Sequence, residues 1–167
     1  MPVVERAGTA IMQIYDGAFA VQRKDDNSPL TLADLESQRI IIEGLKHITP
    51  GIPILSEESA AAPWAERQTW RELWVVDPLD GTREFVKRNG EFTVNVALVV
   101  EHEPVLGVVA APALGLTYCG LRGVGAFSMP DGGERCSIHT VAPQRMLEAI
   151  SELRQRHERA QNIARAC

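Results

Sequence analysis

Residues 73–85 read LWVVDPLDGTREF: an apolar run, two aspartates three positions apart with a proline between them, then Gly-Thr. The apolar run predicts a buried strand, and the Asp-Pro-Leu-Asp after it predicts a stiffened bend that ends the strand. Asp77 and Asp80 then point into one pocket, where their charges repel. Two carboxylates held close in a dry site raise each other's proton affinity unless a cation or donors offset the charge. Magnesium does so with a few carboxylate oxygens, several waters and phosphate oxygens. Asp77, Asp80 and the free Leu79 carbonyl are therefore candidate ligands. Gly81 and Thr82 open the next helix, where unpaired N–H groups and the dipole favour an anion such as phosphate. A plain turn with a helix cap is the alternative reading of the same string.

A second acidic cluster follows the short apolar run IPIL at residues 52–55: Ser-Glu-Glu-Ser, with Glu57 and Glu58. Adjacent strand residues face opposite ways, so one of the pair joins the metal, and Glu57 is the choice. Asp34, in SPLTLAD, lies in the first turn of a helix near a loop that can close over the site. Hydrogen-bonded to the Thr82 hydroxyl, it is a candidate base for a water made acidic by the metal. Taken singly, a Ser-Glu-Glu-Ser string reads as a solvated loop and Asp34 as an acid satisfying its helix dipole. The conjunction matters, because both acidic clusters follow apolar strands and α/β sites gather at strand ends.

Outward from these motifs, residues 3–20 place Ala7, Ala10, Ile11, Ile14 and Phe19 near one helical face. The stretch 21–34 is polar and reads as a loop. A second helix starts at Thr31, carries Leu35, Ile41, Ile42 and Leu45 on its apolar face, and stops at Pro50-Gly51. FTVNVALVV and VLGVVAAP are strands joined by a hairpin at EHEP, and LTYCGLRGVGAFSMPDGG adds shorter strands with glycine turns. The order is two helices followed by a strand-rich block, an α/β layered arrangement of the α+β kind. His47, His102, His139 and His157 share no spacing and read as surface or packing residues. Trp64, Trp70 and Trp74 read as hydrophobic cover, with stacking on a base as the sharper reading. Arg83, Lys87 and Arg88 read as charged helix surface or as contacts to a second phosphate.

The 167 residues suit one domain or part of a larger one. A net charge of −5 argues against a nucleic-acid polymer as partner. No transmembrane segment and no signal peptide is read in the sequence. Three cysteines without a Cys-x-x-Cys pair fit reduced thiols, so the expected location is cytoplasmic, with peripheral association at the inner membrane as the variant. The predicted boundary falls after residue 141. The tail, 142–167, holds five arginines against three acids and places Met146, Ala149, Ile150, Leu153, His157, Ala160 and Ala164 on one face of an amphipathic helix.

With these motifs in hand, LSEE, WVVDPLDGTREF and KDDNSPLTLAD resemble the inositol monophosphatase superfamily of metal-dependent, lithium-sensitive phosphatases. Within it, DGTREFVKRNGEFTVNVALV and VLGVVAAP are more similar to the CysQ-type 3′(2′),5′-bisphosphate nucleotidases than to inositol phosphatases, whose stretch reads nearer to DGTTNFVHGFP. The resemblance runs from about Val3 to about Thr140. It implies the amino-terminal α+β half of an α/β/α/β/α sandwich, and a phosphomonoesterase that releases the 3′-phosphate of adenosine 3′,5′-bisphosphate to leave AMP. The resemblance places this nucleotide in sulfate assimilation and makes its sulfated precursor a candidate second substrate. By the same resemblance Glu57, Asp77, Asp80 and the Leu79 carbonyl are magnesium ligands, and Glu57, Leu79, Asp80, Gly81 and Thr82 contact substrate. Asp34 with Thr82 activates water. Two or three Mg2+ ions stabilise an in-line attack, and lithium competes at one position.

Family members are longer, and their carboxy-terminal half supplies a Trp-Asp-x-Ala-Ala helix whose aspartate is a further ligand; no such motif occurs here. An early stop, a shifted frame or a natural fragment would each give this pattern. The expectation is weak or no turnover, with exposed sheet edges favouring a homodimer. An inositol or sugar phosphate phosphatase and a silent metal- or nucleotide-binding remnant are the alternatives.

Overall fold

A computed structural model describes residues 2–17, 21–23 and 29–140. The chain divides into a compact unit, Met1–Ser137, and a second unit, Ile138–Cys167. The fold below is that of the first. The predicted tail helix and Phe19 lie outside the described residues.

Helix α1 (Pro2–Tyr15) buries Val4, Ala7, Gly8 and Ile11, a stripe at the i, i+3, i+4, i+7 spacing of one helical face. Ala10 and Ile14 flank it half-buried. The polar stretch read as a loop carries two short antiparallel strands, β1 (Val21–Arg23) and β2 (Pro29–Thr31). Thr31 is the N-cap of α2 (Leu32–Ile48) in a capping box with Asp34. The apolar face predicted for α2 is corrected: Leu35 is 43% exposed, whereas Asp34 and Ser37 are fully buried beside Ile40 and Ile41. At that end of the helix Ala33 joins the core, while Asp34 and Ser37 are buried against the site. The two helices cross closely at Gly44, where an added Cβ would lie 2.6 Å from Val3 Cγ2.

Seven strands form one sheet in the order β3 (Ile54–Ser56), β4 (Glu72–Asp80), β5 (Thr93–Val100), β6 (Glu103–Ala111), β7 (Leu116–Leu121), β8 (Gly125–Pro130) and β9 (Cys136–Ile138). The β3–β4 pair is parallel, and the pairs from β4 to β8 are antiparallel. Hairpin β5–β6 turns on Glu101 and His102, both at positive φ, the conformation that matches strand twist in a two-residue loop. Short helices α3 (Trp64–Arg67) and α4 (Thr82–Lys87) interrupt the connections. One face of the sheet, with Trp74, Val76, Val94, Val96 and Val108, packs with α1 and α2 into the core. Of the three tryptophans Trp74 alone is buried, its Nε1 donating to Thr49 Oγ1 at 2.9 Å, while Trp64 is 67% exposed, with the Arg67 guanidinium over its ring. Among the described residues no helix is long and apolar enough to cross a membrane.

Candidate active site

In a regular strand, residues three apart point to opposite faces. Strand β4 departs from that rule. Asp77 pairs with Asn95 and Asp80 with Thr93, so three steps on β4 match two on β5, and the extra residue makes a β-bulge. The bulge puts Asp77 and Asp80 on the same face, while Pro78 and Leu79 are buried. The predicted bend is thereby corrected: the strand does not end at Asp77, because pairing with β5 resumes at Thr93. Proline is tolerated there since a bulge asks for no ladder donor. The Pro78 carbonyl instead accepts a hydrogen bond from the buried Ser37 Oγ at 2.7 Å.

Parallel pairing of Ser56 with Val76, continued by Glu57 N–H donating to the Val76 carbonyl at 3.1 Å, carries Glu57 alongside Asp77. The two carboxyl groups are close enough for the charge of Glu57 to act on Asp77. Burial, then the negative charges of Glu57 and Asp80, push the Asp77 carboxyl up to about 7, against the pull of the Leu79 N–H that donates to Asp77 Oδ1 at 3.2 Å. Asp80 Oδ2 accepts from Asn95 Nδ2 at 3.2 Å. Asn95 Oδ1 is buried without a hydrogen-bond partner among the described residues, an orphaned acceptor next to the acidic pair. Sequence reasoning missed Asn95. Its signal was a single amide inside the otherwise apolar TVNVALVV.

The donor set is all oxygen, which suits magnesium in chemistry. In placement, no group of three or more His, Cys, Asp or Glu among the described residues is already disposed around an ion. The raised Asp77 is the charge conflict that a cation would relieve. The Leu79 carbonyl lies 3.1 Å from Thr82 Oγ1, whose single proton goes either to it or to Asp34 Oδ1 but not to both.

Asp34 and Thr82, 48 residues apart, meet: Thr82 Oγ1 also faces Asp34 Oδ1 at 3.1 Å. Asp34 Oδ2 accepts from Thr31 N at 2.8 Å and from Thr31 Oγ1 at 2.6 Å. One oxygen thus caps the helix while the other reaches the Asp77–Thr82 turn. Gly81 has φ +86, and a Cβ there would lie 2.8 Å from the Glu91 carbonyl oxygen, so glycine is required at the turn. Behind it, Phe85 packs against Tyr15 and Phe92 with ring centroids 5.2 Å away from each. Arg88 is committed to structure: its guanidinium donates to the carbonyls of Tyr15, the last residue of α1, and of Gly17 just beyond it. Lys87 pairs with Glu84 at 3.1 Å.

A mixed sheet backed by two helices, with acidic groups gathered at the adjoining ends of a parallel strand pair, defines a class that sequence comparison makes definite. The profile of the inositol monophosphatase family matches residues 1–166, and the chain belongs to that family. A 3′(2′),5′-bisphosphate nucleotidase CysQ of Salmonella typhimurium is 54% identical over 123 residues, 72% of this chain and 50% of that protein. The crystal structure of CysQ from Bacteroides thetaiotaomicron superposes with a TM-score of 0.66 at 40% identity, covering 87% of this chain and 52% of that one. An IMPase/NADP phosphatase solved with Mg2+ and phosphate superposes with a TM-score of 0.66 at 26% identity, covering 74% and 46%. The chain spans about half the length of the curated relatives it matches, and its fold is the α+β fold of this family.

Proposed function

We propose that the chain carries the metal- and phosphate-binding half of a magnesium-dependent phosphomonoesterase acting on the 3′-phosphate of adenosine 3′,5′-bisphosphate, with AMP as product. The supporting observation is one convergence: Glu57 and Asp80 both act on Asp77, and Thr82, five residues beyond Asp77, is hydrogen-bonded to Asp34. The name and 54% identity of the Salmonella typhimurium relative support the choice of nucleotide over inositol substrate. The solved relative with Mg2+ and phosphate supports the choice of ion.

In this reading Glu57, Asp77, Asp80 and the Leu79 carbonyl would hold magnesium, with the Thr82 proton turned to Asp34 rather than to Leu79. Magnesium supplies charge stabilisation at the phosphoryl oxygens and a more acidic water. The chain's own residues do the rest. The Glu84 N–H already donates to the Gly81 carbonyl at 2.9 Å, so in this reading the N–H groups of Thr82 and Arg83 would be the donors presented to the phosphate. Asp34 Oδ1 orients the Thr82 hydroxyl, so that Thr82 Oγ1 accepts a hydrogen bond from the attacking water and its own proton moves toward Asp34. Unpaired Cys119 and Cys136 fit a reducing cytoplasm.

The test is phosphate release by the purified chain from adenosine 3′,5′-bisphosphate and from inositol 1-phosphate, with Mg2+, with EDTA and with added lithium. Mg2+-dependent, lithium-inhibited release from the nucleotide is expected. Preference for inositol 1-phosphate moves the reading to the sister activity, and Mg2+ binding without release moves it to a silent binding remnant.

A further inference from the structure

Asp34, Ser37 and Gln38 lie at i, i+3 and i+4 on α2, one face of one helix. Asp34 meets Thr82, as described. Ser37, fully buried, donates to the carbonyl of Pro78 at 2.7 Å, inside the bulge that sets Asp77 and Asp80 on a common face. Gln38 reaches the other acidic strand end. Its Nε2 donates to the Glu58 carbonyl at 3.1 Å, and its Oε1 accepts from Ser56 Oγ at 2.7 Å, with Ser59 Oγ at 3.4 Å. The amide orientation follows from chemistry, since a carbonyl only accepts and must face the NH2 end. Glu57 therefore sits between two points, the Ser56 side chain and the Glu58 carbonyl, both tied to one amide.

Glu57 and the Asp77–Asp80 bulge belong to different strands, and only three residues of β3 pair with β4. Past that ladder the Glu57 N–H donates to the Val76 carbonyl and the Ser59 N–H to the Ser56 carbonyl, and Gln38 adds a tie from the helix layer to the same turn. A 17-residue helix is rigid over the single turn that separates these contacts. We propose that Ser37 and Gln38 are positioning residues that set the separation of the two acidic strand ends, so that Glu57 and Asp77 can bind one divalent cation. The inference rests on the metal-binding reading above. Residues behind metal ligands typically change affinity by about 10–100-fold when removed.

Three variants of the full chain test this. Gln38→Leu keeps the volume of a half-buried side chain and removes both hydrogen-bonding ends. Ser37→Ala removes the bond to the bulge, and Ser59→Ala removes only the long contact and serves as control. In EDTA, backbone amide exchange at residues 57–59 is expected to quicken by about tenfold or more in Gln38→Leu, with residues 40–45 of α2 unchanged. Calorimetric titration with Mg2+ is expected to show binding weaker by about tenfold in Gln38→Leu and Ser37→Ala, and unchanged in Ser59→Ala. If the wild-type chain takes up no Mg2+, the metal reading fails and this inference with it. If wild type binds while Gln38→Leu and Ser37→Ala bind equally well, the inference alone is overturned. Faster exchange throughout α2 in Gln38→Leu would mark a general stabilising role and also overturn it.

Discussion

Asp77→Asn is expected to make the metal-free chain more stable and the magnesium-bound chain less so. The Asp77 carboxyl lies at about 7 in the folded chain against 3.8 in its ordinary state, raised by burial and by Glu57 and Asp80. A raised folded value means that its contribution is fully present below pH 3.8 and is lost as pH climbs through 7. At about 1.4 kcal/mol per unit the gap is worth about 4 kcal/mol. Half-exposure and solvent screening bring that to about 2 kcal/mol. Asparagine keeps an acceptor for the Leu79 N–H and offers a donor to Glu57, so the substitution removes the repulsion without leaving a hole. Urea unfolding in EDTA should show Asp77→Asn and wild type equal near pH 4 and the variant ahead by about 2 kcal/mol at pH 8. Mg2+ at about 100 times its dissociation constant then adds about 2.7 kcal/mol to wild type alone and reverses the order. A variant no more stable than wild type at pH 8 in EDTA would refute the charge-conflict argument. A variant that Mg2+ stabilises as much as wild type would remove Asp77 from the ion.

Thr82→Ala should lower phosphate release by about a hundredfold or more while shifting the melting temperature little, and release at the wild-type rate would separate the Asp34–Thr82 pair from the chemistry. Gly81→Ala forces a side chain into a left-handed backbone and against the Glu91 carbonyl, so thermal unfolding should report a loss of about 1–3 kcal/mol. Phe85→Ala empties a fully buried site between Tyr15 and Phe92 and should cost about 3–5 kcal/mol in chemical denaturation.

The elements legible in the sequence were those set by local chemistry. Thr31 announced α2 because a hydroxyl N-cap and an acid three residues on satisfy the helix's first donors. The hairpin at Glu101–His102 followed from two β-rich runs and a polar turn between them. Leu35 misled because helical periodicity counts apolar residues, whereas this face of α2 is buried for its polar groups, Asp34 and Ser37. The continuation of β4 through Pro78 was illegible, since a bulge is defined by the partner strand's register and Asn95 and Thr93 lie far along the chain. The acidic residues themselves stood out as clusters behind apolar runs. Asn95, Ser37 and Gln38 did not, because single amides and hydroxyls carry no pattern until neighbouring strands are in place.

The surplus residue in β4 also decides what a change of length would do here. With three steps on β4 set against two on β5, deleting one position between Asp77 and Asp80 would restore simple alternation and leave both carboxylates on the same surface of the sheet. Regular pairing of every residue at the present length would instead swing Asp80 to the helix side, among Trp74 and Val76. A single-codon loss would therefore cost the kink rather than the common surface of the two carboxylates.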